Sequence, residues 1–150
     1  MKATHFHGDA TRLVKQRAYA YEPSPNSGLR LAPPVPTRLG AGGIFTTVED
    51  LARWDQNFYD GRVGGEPLIR QITTPGTLNN GRPLEYAFGL EVRHYRGLRV
   101  VEHGGDHVGY HAYLMRFPDR HLSVICLCNL STINPGSLAH AAADIYLQSQ

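Results

Sequence analysis

The sequence predicts an α+β fold in which an antiparallel sheet is backed by a C-terminal helix, and three features predict it. Apolar residues recur every three or four positions over Val48–Phe58, turn to strand-like runs between Tyr86 and Asn129, and give way to an alanine-rich stretch after Pro135. A period near 3.6 marks a half-buried helix and a period of two marks a strand. At 150 residues and 41% hydrophobic content, the chain suits one domain around one core.

The elements follow in order. Residues 1–22 carry no clear period, and residues 23–38 concentrate Pro, Ser and Asn, so residues 1–45 are expected to be irregular. Gly40-Ala-Gly-Gly43 allows tight or left-handed backbone that a side chain would resist. Thr46 with Glu49, or Thr47 with Asp50, fits a capping box, in which hydroxyl and carboxylate satisfy free N–H groups of a first helical turn. The stripe Val48, Leu51, Trp54, Phe58 then gives the helix its apolar face, which places Trp54 in the core, and Asp60-Gly61 gives the stop. A shorter helix is expected around residues 66–73, ending before Pro75, so residues 46–75 read as helical.

From Tyr86 the pattern changes. Tyr86–Tyr95 and Leu98–His103 read as strands joined at Arg96-Gly97; Tyr110–Phe117 and Leu122–Asn129 read as two more, joined at Pro118-Asp119. In the last strand Leu122, Val124 and Cys126 share one face while Ile125 and Leu127 share the other, so both faces should be covered. The helix at 135–148 covers one, with Pro135 in its first turn and Ala139, Ala141, Ala142 and Ala143 permitting close approach. The helix at 47–60 covers part of the other. Residues 86–150 are therefore sheet plus terminal helix.

Composition narrows the function classes. Fifteen basic residues scattered among thirteen acidic ones form no stripe for nucleic acid or an anionic membrane. No apolar run approaches the ~20 residues of a membrane-spanning helix, and the first seven residues hold no hydrophobic signal core. The compartment is left open, cytoplasmic for a chain that is complete. Cys126 and Cys128 stand at i and i+2 of one strand, poor geometry for a bridge, and read as free thiols.

His103-Gly104-Gly105 stands where the second strand is expected to run out, with Gly109 a short fixed step beyond. Two glycines beside a histidine let a substrate approach the backbone, as a carbonyl or oxyanion site requires. His103, His107 and His111 recur every four residues beside Glu102 and Asp106, a zinc face on a helix, but Gly104, Gly105 and Gly109 argue against a helix there. His5 and His7 could chelate only from a strand. No metal and no cofactor is expected. Tyr110 is open between core and pocket wall.

Taken together, Ala41-Gly-Gly-Ile-Phe-Thr-Thr-Val-Glu-Asp-Leu51, His103-Gly-Gly105, Gly109-Tyr110, Arg116-Phe-Pro-Asp-Arg120 with its following strand, and the terminal helix resemble the β-lactamase-related serine hydrolases. That family includes class C β-lactamases, D-aminopeptidases, DD-peptidases and esterases. The likeness runs over residues 39–147 in matching order. It implies a partial β-lactamase/transpeptidase-like fold, with residues 1–150 as the C-terminal portion of one such domain. His103-Gly104-Gly105 matches the His-x-Gly form of the family's third motif. By this resemblance His103 and Asp106 are the catalytic candidates, His103 for substrate binding and proton traffic and the Asp106 N–H as one oxyanion donor. Gly104, Gly105, Gly109 and Tyr110 are the substrate-binding candidates.

The sequence departs from the family upstream. The first motif is Ser-x-x-Lys, in which lysine activates the serine. The two lysines here are Lys2 and Lys15, and Arg12 stands three before the latter. None of the eight tyrosines completes the second motif, Tyr-x-Asn or Tyr-x-Ser. Met1-Lys-Ala-Thr-His-Phe resembles the family's internal Gly-Met-Lys-x-Thr segment, which follows both motifs, so the chain is expected to begin partway through a parent protein and to be inactive alone. The implied partners are a small-molecule ester, amide or β-lactam substrate in the intact parent and the missing N-terminal portion. In that parent, N-terminal strands pair beside Leu122–Asn129; without them an apolar edge stays unpaired. The competing reading is a non-catalytic binding or interaction module that kept part of the fold.

Overall fold

The computed structural model describes residues 1–9, 11–32 and 39–148. Four short strands come first: β1 (His5–Phe6), β2 (Tyr21–Pro23), β3 (Leu29–Leu31) and β4 (Ile44–Phe45). Two helices follow, α1 (Val48–Asp60) and α2 (Gly65–Ile72). The main sheet is β5 (Glu91–Tyr95), β6 (Leu98–His107), β7 (Tyr110–Phe117) and β8 (Leu122–Cys128), antiparallel throughout and in chain order; α3 (Pro135–Gln148) closes the chain.

Between the two candidate caps of α1, Thr47 is the one used: its hydroxyl accepts the Asp50 N–H at 3.2 Å, and Gly61 ends the helix at φ 60°. Alternation along the strands sorts the sheet into two faces. On one, Val100, Met115 and Phe117 are buried against Ala143 of α3, with Leu98, Leu122 and Val124 packed around them. Burying side chains of that size stabilises by about 1.5–3 kcal/mol each. Ala139 and Ala143 are fully buried, so small side chains are what let α3 lie close to the strands. Asp144 fastens its far end, accepting from Tyr95 Oη at 2.7 Å and pairing with Arg96 at 2.8 Å.

The opposite face meets α1 through a buried ion pair. Arg116 of β7, 1% exposed, donates its Nε to Asp55 at 2.6 Å and stacks 3.5 Å from the centre of the Phe58 ring. Ser123 Oγ donates to the same carboxylate at 2.9 Å, tying β8 to α1.

Four differences from the sequence reading have local causes. The first main strand begins at Glu91 rather than Tyr86, because Gly76–Tyr86 folds on itself: Gly76 N–H donates to Tyr86 O at 3.0 Å and Leu84 N–H to Gly76 O at 2.9 Å. The second runs on to His107, so the His-Gly-Gly triplet lies inside a strand and not at its end; the tight Val108-Gly109 turn returns β7 in register along all of 101–107. The last strand stops at Cys128, one residue early, where Tyr21 N–H bonds Asn129 O at 2.8 Å. Within residues 1–45, β1 pairs with β4 and β2 with β3, where irregular chain was expected; the remainder of the 23–38 crossing, residues 33–38, lies outside the described residues.

Beyond the Tyr21 contact, no described strand pairs with the outer margin of β8. Cys126 and Cys128 are free, and burial raises the Cys126 thiol pKa.

Candidate active site

The backbone of β6 makes the site, and its register can be worked out from the turns. Arg96-Gly97, at φ 52° and 79°, closes Tyr95 against Leu98, and Val108-Gly109 closes His107 against Tyr110. The pair that closes a two-residue hairpin exchanges both backbone hydrogen bonds, and bonding alternates from there. Leu98, Val100 and Glu102 therefore bond toward β5, while Val101, His103, Gly105 and His107 bond toward β7. Pairing with β5 ends where Glu91 meets Glu102. Gly104 and Asp106, next in the outward series, direct N–H and C=O to an edge that β5 does not reach.

Side chains surround this edge. His103 is exposed, and its Nε2 lies 3.1 Å from Tyr86 Oη, the rings meeting edge to face at 5.8 Å. Asp106, with its side chain 75% exposed, is bonded through its carboxylate to His111 Nδ1 across the β6–β7 ladder. A Cβ added to Gly104 would sit 3.1 Å from Tyr113 Cδ2, whereas one on Gly105 would meet nothing within 4 Å. A side chain at the first glycine would thus crowd the Tyr113 ring, and the second leaves open space beside the strand.

Behind the edge lies a cleft of about 320 Å³, between Gly104–Asp106, the facing His111–Tyr113 of β7, and Ile133–Gly136 at the start of α3. Asn134 Oδ1 accepts the Ser137 N–H at 2.9 Å, capping that helix. Among the described residues, no Lys or Arg lines the cleft. Tyr113 stays a neutral phenol: burial raises its pKa first, and the nearby Glu102 carboxylate adds to it. Glu102 is itself buried, 4.0 Å from Arg93.

Gly104, Gly105 and Asp106 border the cleft, whereas the His103 side chain projects from the opposite face of β6 and does not line it. Gly109 and Tyr110 lie apart from the cleft. A Cβ on Gly109 would come within 2.8 Å of Tyr21 O, so its missing side chain admits the β2 segment. Tyr110 donates to Ala18 O at 2.8 Å and accepts from Arg17 Nε at 3.2 Å. His103 and His107 fall on one face of β6 while His111 falls with Asp106 on the other, and no group of three metal-ligating side chains occurs among the described residues. His7 is stacked on Phe45 at 4.4 Å.

Two neighbours, Tyr86 and Asn134, escaped the sequence reading as site residues, and His111 entered it only through the four-residue histidine spacing. Asn134 carried a usable sign, since Asn followed by Pro135 is a helix-start pair. The pairing of Asp106 with His111 follows once the two-residue turn is placed at Val108-Gly109. Nothing local marks Tyr86 as a neighbour of His103, seventeen residues on.

Comparison with known proteins bears on the family and the fold. A family model described as Beta-lactamase matches residues 1–148. The chain is 29% identical over 119 residues to a D-aminopeptidase of Gluconobacter oxydans, covering 79% of this chain and 23% of that protein. It is 31% identical over 91 residues to a D-aminopeptidase of Brucella ovis, covering 61% and 18%. The octameric penicillin-binding protein homologue from Pyrococcus abyssi superposes with a TM-score of 0.81 at 22% identity, over 99% of this chain and 34% of that one. The chain thus spans about a quarter of the length of the first of these relatives. With the sheet, the terminal helix and the family match in agreement from one end to the other, this chain belongs to the β-lactamase family.

Proposed function

We propose that this chain forms one wall of a serine hydrolase active site, the wall that holds the substrate carbonyl, and that it does not turn over substrate alone. The parent reaction is acyl transfer on an ester, amide or β-lactam. A serine hydroxyl from outside these residues adds to the carbonyl carbon and loses its proton; the leaving group departs carrying a proton; water then cleaves the serine ester to release the acid.

The observation that carries this reading is the open edge at Gly104 and Asp106. The Asp106 N–H is available to a developing oxyanion, and a preorganised donor of this kind is worth about 3 kcal/mol in the transition state. In the family's arrangement the second donor is the N–H of the serine itself. His103, one strand step before the glycines, binds the carbonyl or carboxylate side of the substrate and supports proton traffic. Gly105, with open space over its Cα, lets the substrate lie against the strand.

The test is turnover of nitrocefin and of a p-nitrophenyl ester. The purified chain should match its His103→Ala variant at background. Adding a polypeptide that carries Ser-x-x-Lys and Tyr-x-Asn or Tyr-x-Ser should give turnover that depends on His103. Turnover by the chain alone, well above the His103→Ala control, defeats the proposal, as does restored turnover indifferent to His103.

A further inference from the structure

We infer that Tyr86 is a positioning residue for His103: its phenol donates to Nε2, which fixes the imidazole as the Nδ1–H tautomer and pins the ring. The inference deepens the function proposed above and rests on it for its purpose, since a histidine matters at this edge only when its donor and acceptor nitrogens are in defined places. Three observations carry it. The Tyr86 Oη to His103 Nε2 distance is 3.1 Å, within hydrogen-bond range. The rings also meet edge to face at 5.8 Å and 61°, so the contact restrains the ring plane as well as one atom.

The third observation is that Tyr86 is itself held by backbone on both sides. Its C=O accepts from Gly76 N–H at 3.0 Å, and Val92 N–H of β5 donates to Glu85 O at 2.8 Å. Glu85 pairs with Arg93 of the same strand at 3.1 Å. The phenol is therefore presented by a segment anchored to the strand adjacent to β6, although Tyr86 is 45% exposed. An exposed tyrosine needs such an anchor to act as a fixed donor, because free rotation would spread the phenol over solvent.

A phenol can donate or accept, but its O–H is a more acidic donor than an imidazole N–H and a bare imidazole nitrogen is the more basic acceptor, so the inferred direction runs from Tyr86 Oη–H to Nε2. With Nε2 occupied as the acceptor, the ring proton resides on Nδ1, and that N–H becomes the donor available to a substrate oxygen. A free imidazole in water prefers the opposite tautomer, with its proton on Nε2. The contact thus works against the intrinsic preference and leaves a spectroscopic mark.

The experiment is long-range ¹H–¹⁵N correlation of the histidine rings in the full chain, wild type against Tyr86→Phe, with His94 and His121 as internal controls. Phe keeps the ring edge and removes only the hydroxyl. Wild-type His103 should show Nδ1–H, and the variant should move its tautomer ratio toward Nε2–H by about fivefold, the equilibrium weight of one net hydrogen bond. Tyr86→Leu should move the ratio equally and also broaden the ring signals. A wild-type His103 already in the Nε2–H form, or a ratio unchanged in Tyr86→Phe with a preserved amide spectrum, overturns the inference. Because the readout needs no turnover, a failed hydrolase assay leaves it standing, and a failed tautomer shift leaves the hydrolase proposal standing.

Discussion

Removing the Asp55 carboxylate should destabilise the chain more than almost any other single change on the α1 side of the sheet. Arg116 is 1% exposed and its partner Asp55 13% exposed at the side chain, with Nε and Nη2 both 2.6 Å from Oδ1. Burial lowers the arginine's proton affinity and Asp55 offsets part of that, while the guanidinium stays charged with the carboxylate as its partner. Asp55→Ala strands that charge beneath the sheet, at a cost of about 3–5 kcal/mol. For a chain of this length this lowers the melting temperature by roughly 6–20 °C. Arg116→Met removes the charge together with its desolvation penalty and keeps apolar contact with Phe58, so it should cost less than Asp55→Ala. The double variant should then be more stable than Asp55→Ala alone. Urea unfolding followed by the fluorescence of Trp54, the single tryptophan, reports the change from the neighbouring helix position. An Asp55→Ala loss below about 1 kcal/mol, or a double variant as unstable as the sum of the singles, refutes the reasoning.

Two further outcomes follow. Asp50, 1% exposed, accepts from the N–H groups of Lys2 and Ala3 and from the Thr4 hydroxyl, binding the first residues to α1. Burial pulls its pKa up, but the bonds from Thr4, Ala3, Arg53 and Lys2 overcome that and hold it at about 2, against an ordinary 3.8. A depressed folded value means stability fully present above 3.8 and lost as pH falls toward 2. Melting temperature measured across that window should fall less steeply in Asp50→Asn than in wild type, and an identical slope would contradict the assignment. Gly104→Val should cost about 1–3 kcal/mol by crowding Tyr113, while Gly105→Ala should stay within about 0.5 kcal/mol of wild type. Thermal melts compare the two, and a harmless Gly104→Val would show that Tyr113 yields.

The α+β class, α1 with its cap and stop, the order of the four strands and the span of α3 are legible in the sequence, because each rests on a local cause: a period, a hydroxyl at a helix start, a glycine at a helix end. What is hard to read is whatever depends on contact between distant segments. Alternation placed a strand from Tyr86, but the fold-back of Gly76 onto Tyr86 claims those residues, and no periodicity reports it. Two consecutive glycines suggested that a strand had ended at His103; the register with β7 carries it four residues further. At the candidate site, the triplet is visible as a motif, yet which of its amides face outward depends on the turn at Val108-Gly109. Tyr86 and His111 lie outside the motif, so their proximity is a product of sheet geometry alone.

The ten-residue length of β6 has a consequence for how its far half holds its shape. Val101 and Glu102 are paired on two sides, with β5 and with β7, and from His103 onward the strand is paired with β7 alone. Neighbouring amides there face two ways: those of His103 and Gly105 point into the ladder with β7, whereas those of Gly104 and Asp106 point to the side that β5 does not reach. A group that hydrogen-bonded to this margin would leave the ladder between β6 and β7 intact.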